Sequence, residues 1–286
     1  MVQEGDGELN VDWKSRLLML PAFAVFVLFF IAPFIYFFVI SFWRVRTYKL
    51  SPDFSFVNYA KALERYVPIY QLTFATAFAV ALTCVVLGLL YAGVVRFKAG
   101  RYATLLTFVP LMTLFGGYLV KIYAWKTILG LNGILNGAMV GLGLTDEPLT
   151  AFFYSPFAVG ITLIYFLLPF AILPIYASMR GIQDIELDAA RDLGAGAWHR
   201  FSDIIVPRCR AGIVSAFVIC FLLAVGDYVT PILVGGKISM IGNMITPQFG
   251  QKFDWPLGSA MSFVTLAISI GFVVLFSMMM QLWRPR

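Results

Sequence analysis

Glu186-Leu-Asp-Ala-Ala-Arg-Asp-Leu-Gly-Ala-Gly-Ala-Trp-His-Arg-Phe-Ser-Asp-Ile-Ile-Val-Pro207 separates two long hydrophobic runs, and its residues read as helix, turn and helix. Leu187, Ala190, Gly194 and Ala197 recur at i, i+3, i+7 and i+10, a stripe of small and apolar residues on one helical face. Asp188, Arg191 and Asp192 point away from it, and Arg191 is spaced to pair with either acid. Phe201, Ile204 and Ile205 form a second stripe, which Pro207 is expected to end. A small-residue helix displayed in water suits a groove on another protein. Resting on a membrane interface is the other reading of the same pattern.

The surrounding chain is lipid-soluble. Hydrophobic residues make up 60% of the 286 and charged residues 13%, against roughly 45–50% and about 25% in soluble domains. Surface-to-volume scaling leaves no soluble interior large enough for that apolar surface. Six runs reach the roughly 20 residues that a crossing helix needs: Leu17–Phe42, Pro68–Val95, Tyr102–Trp125, Ala151–Met179, Ala211–Val234 and Leu257–Trp283. The expected architecture is an all-α membrane protein of six transmembrane helices, with a single membrane domain over 17–283.

The net charge of +6 sits mostly between these runs, where it suits lipid headgroups and topology control better than nucleic acid. The basic turn Arg96–Arg101 and the arginine-rich loop 180–210 put those segments in the cytosol, and both termini with them. Residues 1–16, with Glu4, Glu8 and Asp12, then form a polar cytosolic tail rather than a cleaved signal peptide. The glycine-rich segment 127–144 is interrupted by Asn132 and Asn136, and is expected to lie at the external interface rather than to cross. Cys84, Cys209 and Cys220 have no metal or disulfide spacing, and a lone His199 leaves no multi-histidine cluster.

The quoted stretch resembles the cytosolic signature of ABC importer permeases, Glu-Ala-Ala, three residues, Gly, nine residues, Ile-x-Leu-Pro. Asp188-Ala189-Ala190, Gly194 and Ile204-Ile205-Val206-Pro207 keep every gap, with Asp188 for Glu and Val206 for Leu. Lys121-Ile-Tyr-Ala-Trp125, Gly226-Asp-Tyr-Val-Thr-Pro-Ile-Leu-Val-Gly-Gly236 and Asp254-Trp-Pro-Leu-Gly258 are similar to the spermidine/putrescine branch, in its B/H type. The resemblance covers most of the chain from Tyr102 onward. It implies the type I importer permease fold and a coupling helix, carried by Asp188, Ala189, Ala190, Leu193, Gly194 and Pro207, that docks into an ATPase. It also implies a second homologous permease, two ATPase subunits, a soluble substrate-binding protein and a place in the bacterial inner membrane. Polyamines are the implied cargo, with sulfate, iron, phosphonate or an opine as alternatives.

Asp227 is the one acid inside a predicted span. A carboxylate there costs on the order of 2.5–3.5 kcal/mol, so it is expected to face a cavity or a partner. Pro231 lacks an N–H, which frees the Asp227 carbonyl. Asp227 then either meets a passing cation, or caps a broken helix, or pairs with Lys121 or Lys126. Tyr118 and Trp125 share a face with Ile122, and Tyr228 adjoins Asp227; with Tyr123 these are the aromatic candidates for the substrate pathway. Rings over ammonium groups contribute roughly 0.5–2 kcal/mol each, although aromatic residues concentrate at membrane interfaces in any case. Pro156, Pro169 and Pro174 mark the fourth run as cavity-lining or hinged.

Catalytic motifs are absent. Without a Gx4GK[ST] loop, ATP and its Mg must sit on another chain, and no cofactor is expected on this one. A self-contained secondary transporter is the rival. It would need inverted repeats and ionisable relays, neither of which is present.

Overall fold

The computed structural model describes residues 13–46, 49–149, 154–236 and 238–282. Helix α1 (Trp13–Phe26) passes through a π turn, Val27–Ile31, into α2 (Ala32–Ile40). A short antiparallel hairpin, β1 (Arg44–Arg46) and β2 (Lys49–Ser51), and the surface helix α3 (Val57–Arg65) lead to α4 (Val67–Phe97). Next come α5 (Ala103–Phe115), α6 (Tyr118–Leu129), α7 (Ile134–Gly141) and α8 (Pro156–Arg180). The cytosol-assigned loop contains α9 (Asp184–Asp192), α10 (Ala197–Arg200), a second π turn, Phe201–Ile205, and α11 (Val206–Arg208). α12 (Arg210–Gly226), α13 (Val229–Val234), α14 (Ile241–Gly250) and α15 (Trp255–Leu282) complete the chain.

Four unbroken helices, Leu20–Ile40, Val67–Phe97, Pro156–Arg180 and Trp255–Leu282, are long and apolar enough to cross a membrane. Two bent pairs bring the number to six when each counts as one span. The bent pairs are Gly100–Phe115 with Tyr118–Gly141 and Ala197–Arg208 with Arg210–Gly226, so helix occupies all six predicted runs, but the third and fifth differ in shape and bounds. The third is not straight: Gly116-Gly117 interrupts it, and the halves meet at 96°. The fifth stops at Gly226 and restarts at Val229. The predicted tail 1–16 lies outside the described residues up to Asp12, and from Trp13 the backbone is already helical.

Both π turns have one cause. Pro33 and Pro207 each lie two residues beyond such a turn and have no N–H, so the carbonyls of Phe29 and Asp203 lose their helical partners. Widening the preceding turn, with Ala32 N bonded to Val27 O and Val206 N to Phe201 O, relieves the mismatch without ending the helix. Pro207 therefore does not terminate the second stripe as expected. The chain bends by 70° two residues later, between Arg208 and Arg210.

The core is the packing of α4, α8 and α12, built around small residues. Ala77, Ala81, Cys84, Ala171, Ala216, Cys220 and Ala224 are fully buried there. Small side chains let backbones approach in lipid, where no hydrophobic force drives helices together. Gly212 is the tightest point, since a Cβ would lie 2.5 Å from the Pro174 carbonyl oxygen. α8 stays continuous through Pro169 and Pro174, and Pro156 is its first residue, with Ser155 capping Ala158 N at 3.1 Å. α15 packs on α12 through stacked Phe217 and Phe276 and on α2 through Phe263 against Phe34 and Phe38.

Candidate functional site

Two breaks in transmembrane helices meet at one point. The Gly116-Gly117 break makes Tyr118 the first residue of α6, and the Gly226 break puts Asp227 in extended backbone, with ψ of 121°, ahead of α13. Asp227 Oδ1 accepts from Tyr118 Oη at 2.6 Å, from Val229 N at 2.9 Å and from Thr230 N at 3.2 Å. The hydroxyls of Tyr118 and Thr230 are 3.2 Å apart. One carboxylate oxygen thus caps the restarted helix and ties it to α6. The other, Oδ2, is buried and makes no hydrogen bond.

Beside this group lies a cavity of about 350 Å³ lined by Tyr118, Phe166, Asp227 and Tyr228, with Leu163, Leu222 and Leu223 as apolar wall. The Tyr118 and Phe166 rings are tilted 4.7 Å apart. The site offers one carboxylate and three aromatic rings in a mostly apolar chamber, the elements for holding an organic cation.

Neither lysine is paired with Asp227, although Lys121 lies against the outer wall that Phe166 gives the chamber. Lys121, 8% exposed, donates to the Thr113 carbonyl at the end of α5 and lies 5.5 Å from the centre of the Phe166 ring. It therefore ties the α5–α6 elbow and supplies the positive charge that a helix C-terminus favours. Lys126 lies over Tyr123 at 5.9 Å. Of the alternatives for Asp227, capping is realised, and neither lysine forms an ion pair with it among the described residues.

Among the aromatic candidates, Tyr118 and Tyr228 are brought together. Trp125 instead packs edge-on against Tyr165 at 5.6 Å, and Tyr123 is exposed on another face. Phe166 and Thr230 join the site without having been singled out. Thr230 carried a signal, because Asp227 three residues ahead of it, with Pro231 just beyond, is a helix-start pattern. Phe166, in an unbroken apolar run, carried none.

The coupling segment is built differently. Asp184 and Glu186 occupy the first turn of α9, where acids suit the helix dipole. Arg96 of α4 holds Asp184 at 2.8 Å, and Arg208 holds Glu186 at 2.8 Å. At the other end Gly194 has φ of +83°. Ala195 N bonds Ala190 O at 2.9 Å and Gly194 N bonds Arg191 O at 2.9 Å, a Schellman closure whose left-handed residue is best a glycine. A Cβ at Gly194 would meet nothing within 4 Å, so the backbone sets the requirement there and not space.

The predicted stripe is divided. Leu187 packs against the core, with Ala190 half-buried, so that side faces the protein. The side turned to solvent carries Ile185 (71% exposed), Ala189 and Leu193 (88% exposed), spaced i, i+4, i+8. Asp188 is exposed, and Pro207 is half-buried within α11. The glycine-rich segment forms α7, whose buried Asn136 donates to Gly130 O and Leu149 O and accepts from Leu149 N at 3.0 Å.

No protein-family model matches the chain. It is 36% identical over 224 residues to the spermidine/putrescine transport system permease protein PotB of Salmonella typhimurium strain SL1344, covering 78% of this chain and 77% of that one. The protein of the same name from Escherichia coli K12 is 35% identical over 224 residues, 78% and 81% of the two chains. Among solved structures, a bacterial alginate ABC transporter in complex with an alginate pentasaccharide-bound periplasmic protein superposes with a TM-score of 0.75 at 16% identity, over 94% of each chain. At that identity the likeness is one of fold.

Proposed function

This chain belongs to the permease subunits of ABC importers, on the spermidine/putrescine branch, and on that premise we propose that it moves polyamines inward. It is a multi-pass inner-membrane transport subunit. The cargo reading is carried by the unpartnered Asp227 oxygen beside a chamber lined by Tyr118, Phe166 and Tyr228. An ammonium group there gains a charge-assisted bond and ring faces, whereas sulfate would meet a buried negative charge.

The termini and the α9–α11 segment face the cytosol in this reading, consistent with the basic residues that flank them. Ile185, Ala189 and Leu193 present the apolar face for an ATPase, two copies of which bind ATP and Mg. A second, homologous permease completes the pathway, and a soluble binding protein delivers the cargo; the solved relative was captured with such a protein.

The test is spermidine uptake into proteoliposomes containing the assembled importer and its binding protein. Asp227→Asn is expected to lower uptake per complex about tenfold, the order of effect of one lost charge-assisted bond. A binding protein that takes sulfate or iron and ignores spermidine would refute the polyamine assignment.

A further inference from the structure

A second cavity, about 780 Å³, lies where the cytosol-assigned end of α4 meets the coupling segment. Its polar lining is Arg96, Lys98, Asp184, Asp188 and Arg200. Asp184 and Asp188 lie on the flank of α9 between Leu187 and Ile185, so this cavity borders the proposed ATPase surface but is not lined by Ile185, Ala189 or Leu193. Arg96 is committed to Asp184 and to the Ile182 carbonyl at 3.0 Å. Lys98 and Arg200 are in no ion pair among the described residues, and Arg200 Nε is buried without a hydrogen-bond partner. Three cations against two acids leave the cavity one positive charge in excess.

Its position selects the class of anion. Lys98 directly follows the apolar length of α4, at the level where a membrane gives way to water. Phe97 and Phe201 give the cavity apolar walls beside its cations, and Trp198, 72% exposed, packs 5.8 Å from Phe201 just outside the lining. Basic pockets in such positions hold lipid headgroups. We propose that this cavity seats the phosphate of an anionic phospholipid, held by Lys98 and Arg200, with Phe97 and Phe201 against the start of its acyl chains. A lipid bound there bridges α4 and the coupling segment, and so stiffens the connection between transmembrane core and cytosolic surface.

The assembled importer in nanodiscs provides the test, with phosphatidylglycerol or phosphatidylcholine and retained lipid counted by native mass spectrometry. The wild type is expected to retain phosphatidylglycerol preferentially. Lys98→Gln with Arg200→Gln should weaken that preference by on the order of 10- to 30-fold. Arg200→Lys should restore most of it, and Lys252→Gln, in another part of the chain, should leave it unchanged. Equal retention of both lipids by the wild type overturns the proposal, as does full retention by the double variant. Displacement of the lipid by millimolar inorganic phosphate would identify a free-anion site and overturn the lipid assignment.

Discussion

The coupling segment and the Asp227 elbow are both interruptions in apolar helices, and they are stabilised in opposite ways. The coupling segment is continuous in sequence, exposed, and closed by its own backbone at Gly194. Its side-chain ties, Arg96 to Asp184 and Arg208 to Glu186, are at the surface. The elbow joins residues 109 positions apart and is held by inward hydrogen bonds to a single carboxylate oxygen. A surface meant for a partner leaves its apolar side chains uncovered, whereas a break inside the membrane has to satisfy its own backbone donors. The first should tolerate changes that abolish coupling; the second should not separate stability from transport so cleanly.

The largest effect expected from this contrast is at Asp227. Asp227→Ala strands Val229 N and Thr230 N and leaves the Tyr118 hydroxyl only its 3.2 Å contact with Thr230, and each donor left unsatisfied costs about 1–3 kcal/mol. The assembled complex should melt well below the wild type and lose uptake. Asp227→Asn keeps an acceptor oxygen, and should lose uptake with a much smaller fall in melting temperature. If the two variants behave alike in both measurements, the carboxylate is only structural and its charge serves no passing cation.

Gly194 comes next. A Cβ at φ of +83° strains the Schellman turn by about 1 kcal/mol, with no clash to add to it. Gly194→Asp and Gly194→Ala should both insert and assemble the membrane domain, while ATP hydrolysis loses its coupling to uptake. Gly194→Asn should recover part of the coupling, because asparagine enters the left-handed region more readily. Equal loss in all three variants would mean that the partner needs a bare glycine surface, and not merely the end of the helix.

What was readable in the sequence follows the same division. The coupling segment was legible because its determinants are local: a stripe at helical spacing, a glycine at the cap and fixed gaps. Even so, local reading could not say which side of α9 faces the protein, because Leu187 and Leu193 are equally apolar. The six runs were legible by length, but their bends were not, since hydropathy is blind to a Gly116-Gly117 break. The elbow was legible only in part. Asp227 stood out as an unsupported charge, yet Phe166 and the true partner of Lys121 depend on how α5, α6 and α8 meet.

The exposed face supplies a third and smaller test. Leu193→Ser and Ile185→Ser remove side chains that touch little within the chain, so each should shift stability by no more than about 0.5 kcal/mol. ATPase subunits retained on the purified permease should nevertheless fall, because apolar anchors dominate interfaces of this kind. Full retention in both variants would move the docking surface elsewhere.

The smallest effect concerns the ties at the surface. Glu186→Gln removes the charge opposite Arg208, whose side chain is 61% exposed, and exposed pairs are worth about 0–1 kcal/mol. The expected loss is therefore slight, and it should depend on salt. At low ionic strength, hydrogen exchange across α9 should be faster in Glu186→Gln than in the wild type. At about 1 M salt, where the screening length falls to roughly 3 Å, the difference should vanish. Exchange at Val229 and Thr230 should ignore salt in both proteins, because their acceptor lies inside the elbow. A salt response at Val229 and Thr230 matching that of α9 would mean that the two regions open as one unit, and the contrast drawn between them would not hold.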